Sequence, residues 1–236
     1  MLLWTLVLRS GFFHQSALPS PSAVWLAFGE EVRSGKLATD LTVSLFRVTV
    51  GFFLAVALGM PLGLWMGRSF GARLALLPTI NFFRNLSPLA WIPFAILWFG
   101  LGDAPAIFLI LMAGFFPVVV ATMAATASIP EVYFRVAEAH GLRGAERLLQ
   151  VTLPAIMPEM ITMLRVTAGL CWVVVVAAEM IAGRDGVGFA VMDSRNGLRT
   201  DLLVAEMIVI GVIGVLIDRV LMRLTKIPSV RWAYER

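Results

Sequence analysis

The chain reads as long apolar runs separated by short charged segments. Crossing the roughly 30 Å hydrocarbon core takes about 20 apolar residues in helical form. The first run of that kind covers 41–66, with Arg47 as its one charge and Gly67 and Arg68 closing it. A second span is predicted at 88–101, carrying Trp91, Trp98 and Phe99 and closed by a turn at 100–105. The third, 106–127, has no charge, the fourth, 157–182, contains Glu159, Arg165 and Glu179, and the fifth, 202–217, contains only Glu206. This pattern predicts an all-α integral membrane fold with five full spans. Ahead of them, residues 1–8 are apolar but too few to span, and they lack the basic region and small-residue cleavage site of a signal peptide. They are read as the tail of a shortened first span, followed across 10–40 by a loop with Pro19 and Pro21 and a short surface helix. The organisation that follows is a shortened span, loop and surface helix at 1–40, one membrane core at 41–227 and a tail at 228–236.

Lysine and arginine collect in the loops on the cytoplasmic side of such a core. The connector 67–87 holds Arg68, Arg73 and Arg84 with no acid, and the stretch from Asp218 holds Arg219, Arg223, Lys226, Arg231 and Arg236. Both go to the cytoplasm together with loop 128–156. The Asp103 turn and the evenly charged loop 183–201 go to the opposite side.

Composition narrows the function classes. With 59% apolar residues and a mean hydropathy of +0.88, the chain has more apolar surface than one water-soluble core can bury. A net charge of +4 and a pI near 10.0 have the sign of a nucleic-acid binder. The basic residues, however, sit between spans without interleaved aromatics, so membrane orientation explains them and nucleic acid is not expected as a partner. Cys171 is the single cysteine and lies in an apolar run, which leaves no disulfide framework and no multi-cysteine metal site. The only histidines are His14 and His140, too few to build a metal or hydrolase site in the membrane. The only lysines are Lys36 and Lys226, and 34–37 fails the phosphate-loop pattern, in which Gly-Lys precedes Ser or Thr. The chain is therefore not expected to hydrolyse ATP, and no cofactor or metal is expected.

Loop 128–156 is too patterned for a plain connector. Ser128, Pro130 and Glu131 have the form of a capping box, in which a Ser hydroxyl and a Glu three residues on satisfy the free amides of a helix start. The predicted helix runs to His140 and ends at Gly141, the residue type suited to the left-handed backbone of a helix stop. His140 near that end suits the helix dipole better than catalysis. A second short helix is predicted over 143–150, with Pro154 and Pro158 marking entry to the fourth span.

The same loop resembles the cytoplasmic signature of ABC importer permeases: E-A-A, three residues, G, nine residues, I-x-L-P. Ala137, Gly141, Val151, Leu153 and Pro154 stand at its spacings, with Arg135 and Val136 in its first two positions. Further segments resemble the nitrate, sulfonate and taurine group of that family. They are Leu18-Pro-Ser-Pro-Ser22, Ser44-Leu-Phe-Arg47 with Gly51 and Phe52, Pro88-Leu-Ala-Trp-Ile-Pro93, Trp98-Phe-Gly-Leu-Gly102 and Ala178-Glu-Met180. The resemblance covers the chain from Leu18 onward, and the half-length first span is its clearest departure. It implies a type I ABC importer transmembrane domain in the cell inner membrane, paired with a second copy of itself. An ATP-binding subunit and an extracytoplasmic solute-binding protein are the other implied partners. It further implies that Ala137, Glu138, Ala139, His140, Gly141, Leu142, Val151, Leu153 and Pro154 form the coupling loop to the ATP-binding subunit. A small oxyanion such as a sulfonate, taurine or nitrate is the implied cargo.

Charges inside spans usually face one another or a cavity. Arg47 and Glu179 fall at similar depth below the outer ends of their spans, so they are candidates for an ion pair between spans or for the lining of an anion's route. Glu159 and Arg165, near the cytoplasmic end, are accounted for by snorkelling or helix pairing. Trp91, Trp98, Phe99, Phe115 and Phe116 are candidates for the pathway or for interface anchors. The rival reading is a secondary transporter or channel, which shows inverted repeats or more spans, and neither is visible. An intramembrane hydrolase needs a nucleophile beside a base, which the histidine positions do not supply.

Overall fold

The computed structural model describes residues 19–223; the expected shortened first span at 1–8 and the tail at 228–236 lie outside the described residues. Every regular element within them is helical. In order these are α1 (Pro21–Ser34), α2 (Lys36–Arg68), α3 (Phe70–Asn85), a 3-10 turn (Pro88–Trp91), α4 (Ile92–Phe99), α5 (Asp103–Ala127), α6 (Glu131–Ala139), α7 (Gly144–Arg147), a π turn (Leu148–Thr152), α8 (Leu153–Ala182), α9 (Val187–Asn196) and α10 (Thr200–Met222). Among the described residues, 4 helical stretches are long and apolar enough to cross a membrane: Lys36–Arg68, Asp103–Ala127, Gly144–Ala182 and Thr200–Met222.

The expected second span is not one of them. Pro88 opens a 3-10 turn, the α-helix begins only at Ile92, and Gly100 with φ 73° stops it. The apolar stretch Pro88–Phe99 rises less than about 20 Å, too little to cross alone. The connector before it, expected as a loop, is the helix α3. Ser69 caps it by accepting from Ala72 N at 3.2 Å, and Leu76, Leu77, Ile80 and Phe83 recur at helical spacing on the face that packs against Phe116, Val119 and Met123 of α5. Its arginines hide that periodicity from a search for charge-free windows.

The centre of the bundle is α5, whose buried residues recur from Pro105 to Thr126. α2 runs beside it in the same direction through a ridge of small residues four apart: Gly51, Ala55, Gly59, Gly63 and Gly67. A Cβ on Gly51 would lie 2.6 Å from Ile110 Cγ2, one on Gly63 2.6 Å from Thr122 Cβ, and one on Gly67 2.6 Å from Thr126 Cβ. The backbones therefore touch, which is how helices associate where lipid removes the hydrophobic drive between them. α8 closes the other side of α5 through Ala168, Cys171, Trp172 and Val175. α10 leans on α8, where Trp172 Nε1 donates to Ile210 O at 3.1 Å.

Two further expectations change. The second short helix expected at 143–150 is only the single turn α7, which continues through the π turn into α8 without a break. Pro154 has no N–H to give to the carbonyl four residues back, and the helix widens just before it. The loop expected at 183–201 contains α9, an amphipathic helix whose Val187, Ala190 and Val191 are buried.

Candidate functional site

The candidate residues separate into two groups at opposite ends of the bundle. At the end where α2 and α5 begin, Arg47 is 2% exposed. Its Nη1 donates to Glu179 Oε1 at 2.9 Å and to the Asp185 carbonyl at 3.0 Å, and its Nε donates to Asp103 Oδ1 at 2.7 Å. Nη2 is paired with the Asp185 carboxylate. One cation thus meets three carboxylates, from the start of α5, the end of α8 and the loop before α9.

The excess negative charge is met by the N-terminus of α9. Gly188 N donates to Glu179 Oε2, Val187 N to Ser44 Oγ and Gly186 N to Asp40 Oδ1, each at 3.0 Å. Ser44 Oγ sits 2.8 Å from both Glu179 oxygens. These amides are the unpaired donors of a helix start, and the positive end of the helix dipole favours a carboxylate there. Glycine is required for this approach: Gly186 has φ 97°, and a Cβ on it would lie 2.5 Å from the Glu179 carboxylate carbon. Asp40, Asp103 and Asp185 were not singled out from the sequence as partners of Arg47 and Glu179. Asp185 stands between Arg184 and Gly186 in a stretch whose charges balance, and nothing local points inward.

At the other end, α6 presents Phe134 and Ala137 inward and leaves Val132, Tyr133 and Val136 exposed. The guanidinium of Arg68 lies 3.5 Å over the Phe134 ring, fixing α6 to the end of α2. The expected capping box does not form. The N-cap of α6 is Pro130, so Ser128 stands two residues too early, and its hydroxyl donates back to Ala125 O at 2.9 Å at the close of α5. The stop at Gly141 has φ 77°, with Gly141 N donating to Glu138 O and Leu142 N to Ala137 O, both at 2.9 Å, the paired bonds of a Schellman motif. His140 Nδ1 lies 2.9 Å from Val136 O, where it serves a helix-end carbonyl.

Of the coupling-loop candidates, Ala137, His140, Leu142, Val151 and Pro154 surround one cleft of about 730 Å³, together with Tyr133, Val136 and Gln150. Leu153 is not in the lining of that cleft and packs against the buried cluster of Ala125, Ile156 and Met160. Glu138 and Ala139 are exposed, and Gly141 projects at the bend. Arg165 pairs with Asp218 across α8 and α10, at 2.9 Å and 3.0 Å. The aromatic candidates form one linked set: Trp91, Trp98 and Phe99 cluster with Phe94 and Phe108, the Trp91 ring also lies 6.2 Å from Phe83, and Phe83 stacks on Phe116, which meets Phe115 edge to face.

With this geometry in place, residues 59–229 match the family described as the binding-protein-dependent transport system inner membrane component. A taurine transport system permease protein of Escherichia coli (strain K12) is 34% identical over 92% of this chain and 81% of its own length. A putative aliphatic sulfonates transport permease protein of Bacillus subtilis (strain 168) is 31% identical over 98% and 83%. A nitrate import permease protein of Synechocystis is 33% identical over 78% and 66%. Among solved structures, the inward-facing methionine ABC transporter has a similar fold, with a TM-score of 0.66 at 19% identity over 83% of this chain and 99% of the matched one.

Proposed function

The chain belongs to the family of binding-protein-dependent transport system inner membrane components, and from that premise we propose that it carries a small oxyanion inward, a sulfonate, taurine or nitrate. It is a multi-pass permease subunit of an ABC importer in the inner membrane and not an enzyme. ATP hydrolysis belongs to the ATP-binding subunit, and a solute-binding protein completes the importer. The oxyanion reading is supported by the names of its taurine, sulfonate and nitrate relatives.

The observation that carries the mechanism is α6, a short helix with an exposed apolar face, bent sharply at Gly141 and anchored from behind. The ATP-binding subunit docks on Tyr133, Val136 and the cleft of the coupling loop. Movement of α6 passes through Phe134 and Arg68 to α2, while the turn 144–152 is continuous with α8, so a push there displaces that span directly. At the outer end the Arg47 cluster ties α2, α5 and α8 together, which makes it the pivot. It is not the anion's contact, because the guanidinium is saturated and three carboxylates around it repel negative charge. α3, the 3-10 turn and α4 together make the remaining crossing as a broken helix, and a second copy of the chain closes the passage.

The test is reconstitution in proteoliposomes. ATPase activity is absent from the purified chain and appears with the ATP-binding subunit, and ATP-dependent uptake of taurine, methanesulfonate or nitrate requires the solute-binding protein. Hydrolysis by the chain alone overturns the assignment of energy to the partner.

A further inference from the structure

The helix break between α3 and α4 holds a cation at membrane depth. Phe83 stacks on Phe116 of α5, with ring centroids 5.6 Å apart and planes at 11°. Phe116 stands about 20 Å from the Asp103 end of α5 and about 17 Å from the Ala127 end, at ~1.5 Å per residue. Phe83 is therefore near mid-span, and Arg84 follows it in the chain, so the expected cytoplasmic placement of the connector 67–87 does not hold for Arg84, which the helix α3 carries up along α5. Arg84, Asn85, Leu86 and Ser87 are all exposed.

Cations at depth in this chain otherwise find acids: Arg47 meets Glu179, Asp103 and Asp185, and Arg165 meets Asp218. No ion pair among the described residues includes Arg84. A mid-span guanidinium lies about 15 Å from either interface of a ~30 Å core, beyond the reach of its side chain, so snorkelling does not relieve it.

The backbone makes the same demand. α3 ends at Asn85, Leu86 is extended at φ −80° and ψ 125°, and Pro88 brings no N–H. Interrupted helix at membrane depth is tolerated against protein or a water-filled cavity, not against lipid. The polar side chains Asn81, Arg84, Asn85 and Ser87 gather at this break, and Asn85 Nδ2 donates to Asn81 O at 2.9 Å.

We infer that Arg84 lines the passage between two copies and binds the transported anion through its guanidinium, with Asn85 and Ser87 beside it. The inference rests on the oxyanion permease reading. A planar guanidinium offers paired N–H donors to two oxygens of a sulfonate or nitrate, and its charge is retained at any working pH.

The complete importer is reconstituted with its ATP-binding subunit and solute-binding protein, and taurine, methanesulfonate and nitrate are supplied in turn. Arg84→Gln lowers the anion taken up per ATP hydrolysed by about tenfold or more, the scale of a lost charge-assisted hydrogen bond, and Arg84→Lys recovers part of it. Asn85→Cys, which keeps the arginine, reacts with a membrane-impermeant thiol reagent, against the buried Cys171 as background, and the transported anion slows that reaction. Uptake by wild type that Arg84→Gln leaves undiminished overturns the inference alone. Wild-type uptake of none of the three anions overturns the oxyanion reading. If Arg84→Gln fails to assemble, an Asn85→Cys that stays unlabelled, or is labelled at a rate indifferent to the anion, overturns the inference.

Discussion

The two ends of the bundle solve opposite problems. At the outer end a guanidinium and three carboxylates are held by one another and by the amides of α9, so the polar groups are met within the chain. At the inner end α6 exposes Val132, Tyr133 and Val136 while its closing carbonyls are met by Gly141, Leu142 and His140. Buried charge without a partner is costly, whereas exposed apolar surface is a standing invitation to one. The outer end is thus built to stay closed on itself, and the inner end has the exposed apolar face that the proposed docking of another subunit would cover. The same contrast separates Arg47, which has no donor to spare, from Arg84, which has all of its own.

The largest test of this contrast is Arg47→Met. Removing the cation strands the buried Glu179 carboxylate, while Asp103 and Asp185 are half exposed and reach solvent, and the loss is about 3 to 5 kcal/mol, as for other broken buried pairs. The fraction of monodisperse protein surviving a heating series in detergent falls accordingly, and Arg47→Met with Glu179→Gln recovers part of it. Strictly additive losses would mean that the two residues act independently.

Next in size is the ridge joining α2 to α5. Gly63→Val forces methyl groups into Thr122 and the Val119 carbonyl, costing about 1 to 3 kcal/mol. The control is Gly169→Ala on α8, which meets nothing within 4 Å. It stabilises by about 0.4 to 1 kcal/mol by restricting the unfolded chain. Equal heat stability of the two variants would remove close packing as the reason for the ridge.

The smallest effect on stability and the most selective effect on function belong to Gly141. Its φ of 77° strains any side chain by about 1 to 2 kcal/mol, yet a Cβ there meets nothing within 4 Å of the chain itself. In the coupling role proposed for this loop, the extra bulk of Gly141→Val points at the docked subunit. Membrane insertion and dimer formation persist, while ATPase stimulation and uptake separate, and Gly141→Ala is milder. Normal uptake by Gly141→Val would sink the coupling role of this loop.

The sequence alone determined what depends on composition and on neighbours along the chain. Spans appear wherever apolar residues run long enough, and Gly141 ends α6 because a left-handed stop is a local demand. The signature spacing from Ala137 to Pro154 was legible for the same reason. Local patterns also misled: Ser128 and Glu131 had the form of a cap, but Pro130 fixed the helix start and turned Ser128 back toward Ala125. α3 was missed because its arginines interrupt a periodicity that only the face of α5 makes visible, and α9 because its buried face is defined by α2, α8 and α10, which lie far from it or on either side of it in the chain. Tertiary structure alone decided which acids meet Arg47. Asp185 is 138 residues away from it along the chain, and no spacing rule reaches that far. Those partners are chosen when α2, α5 and α8 come together, because only then does burial make an unpaired charge expensive.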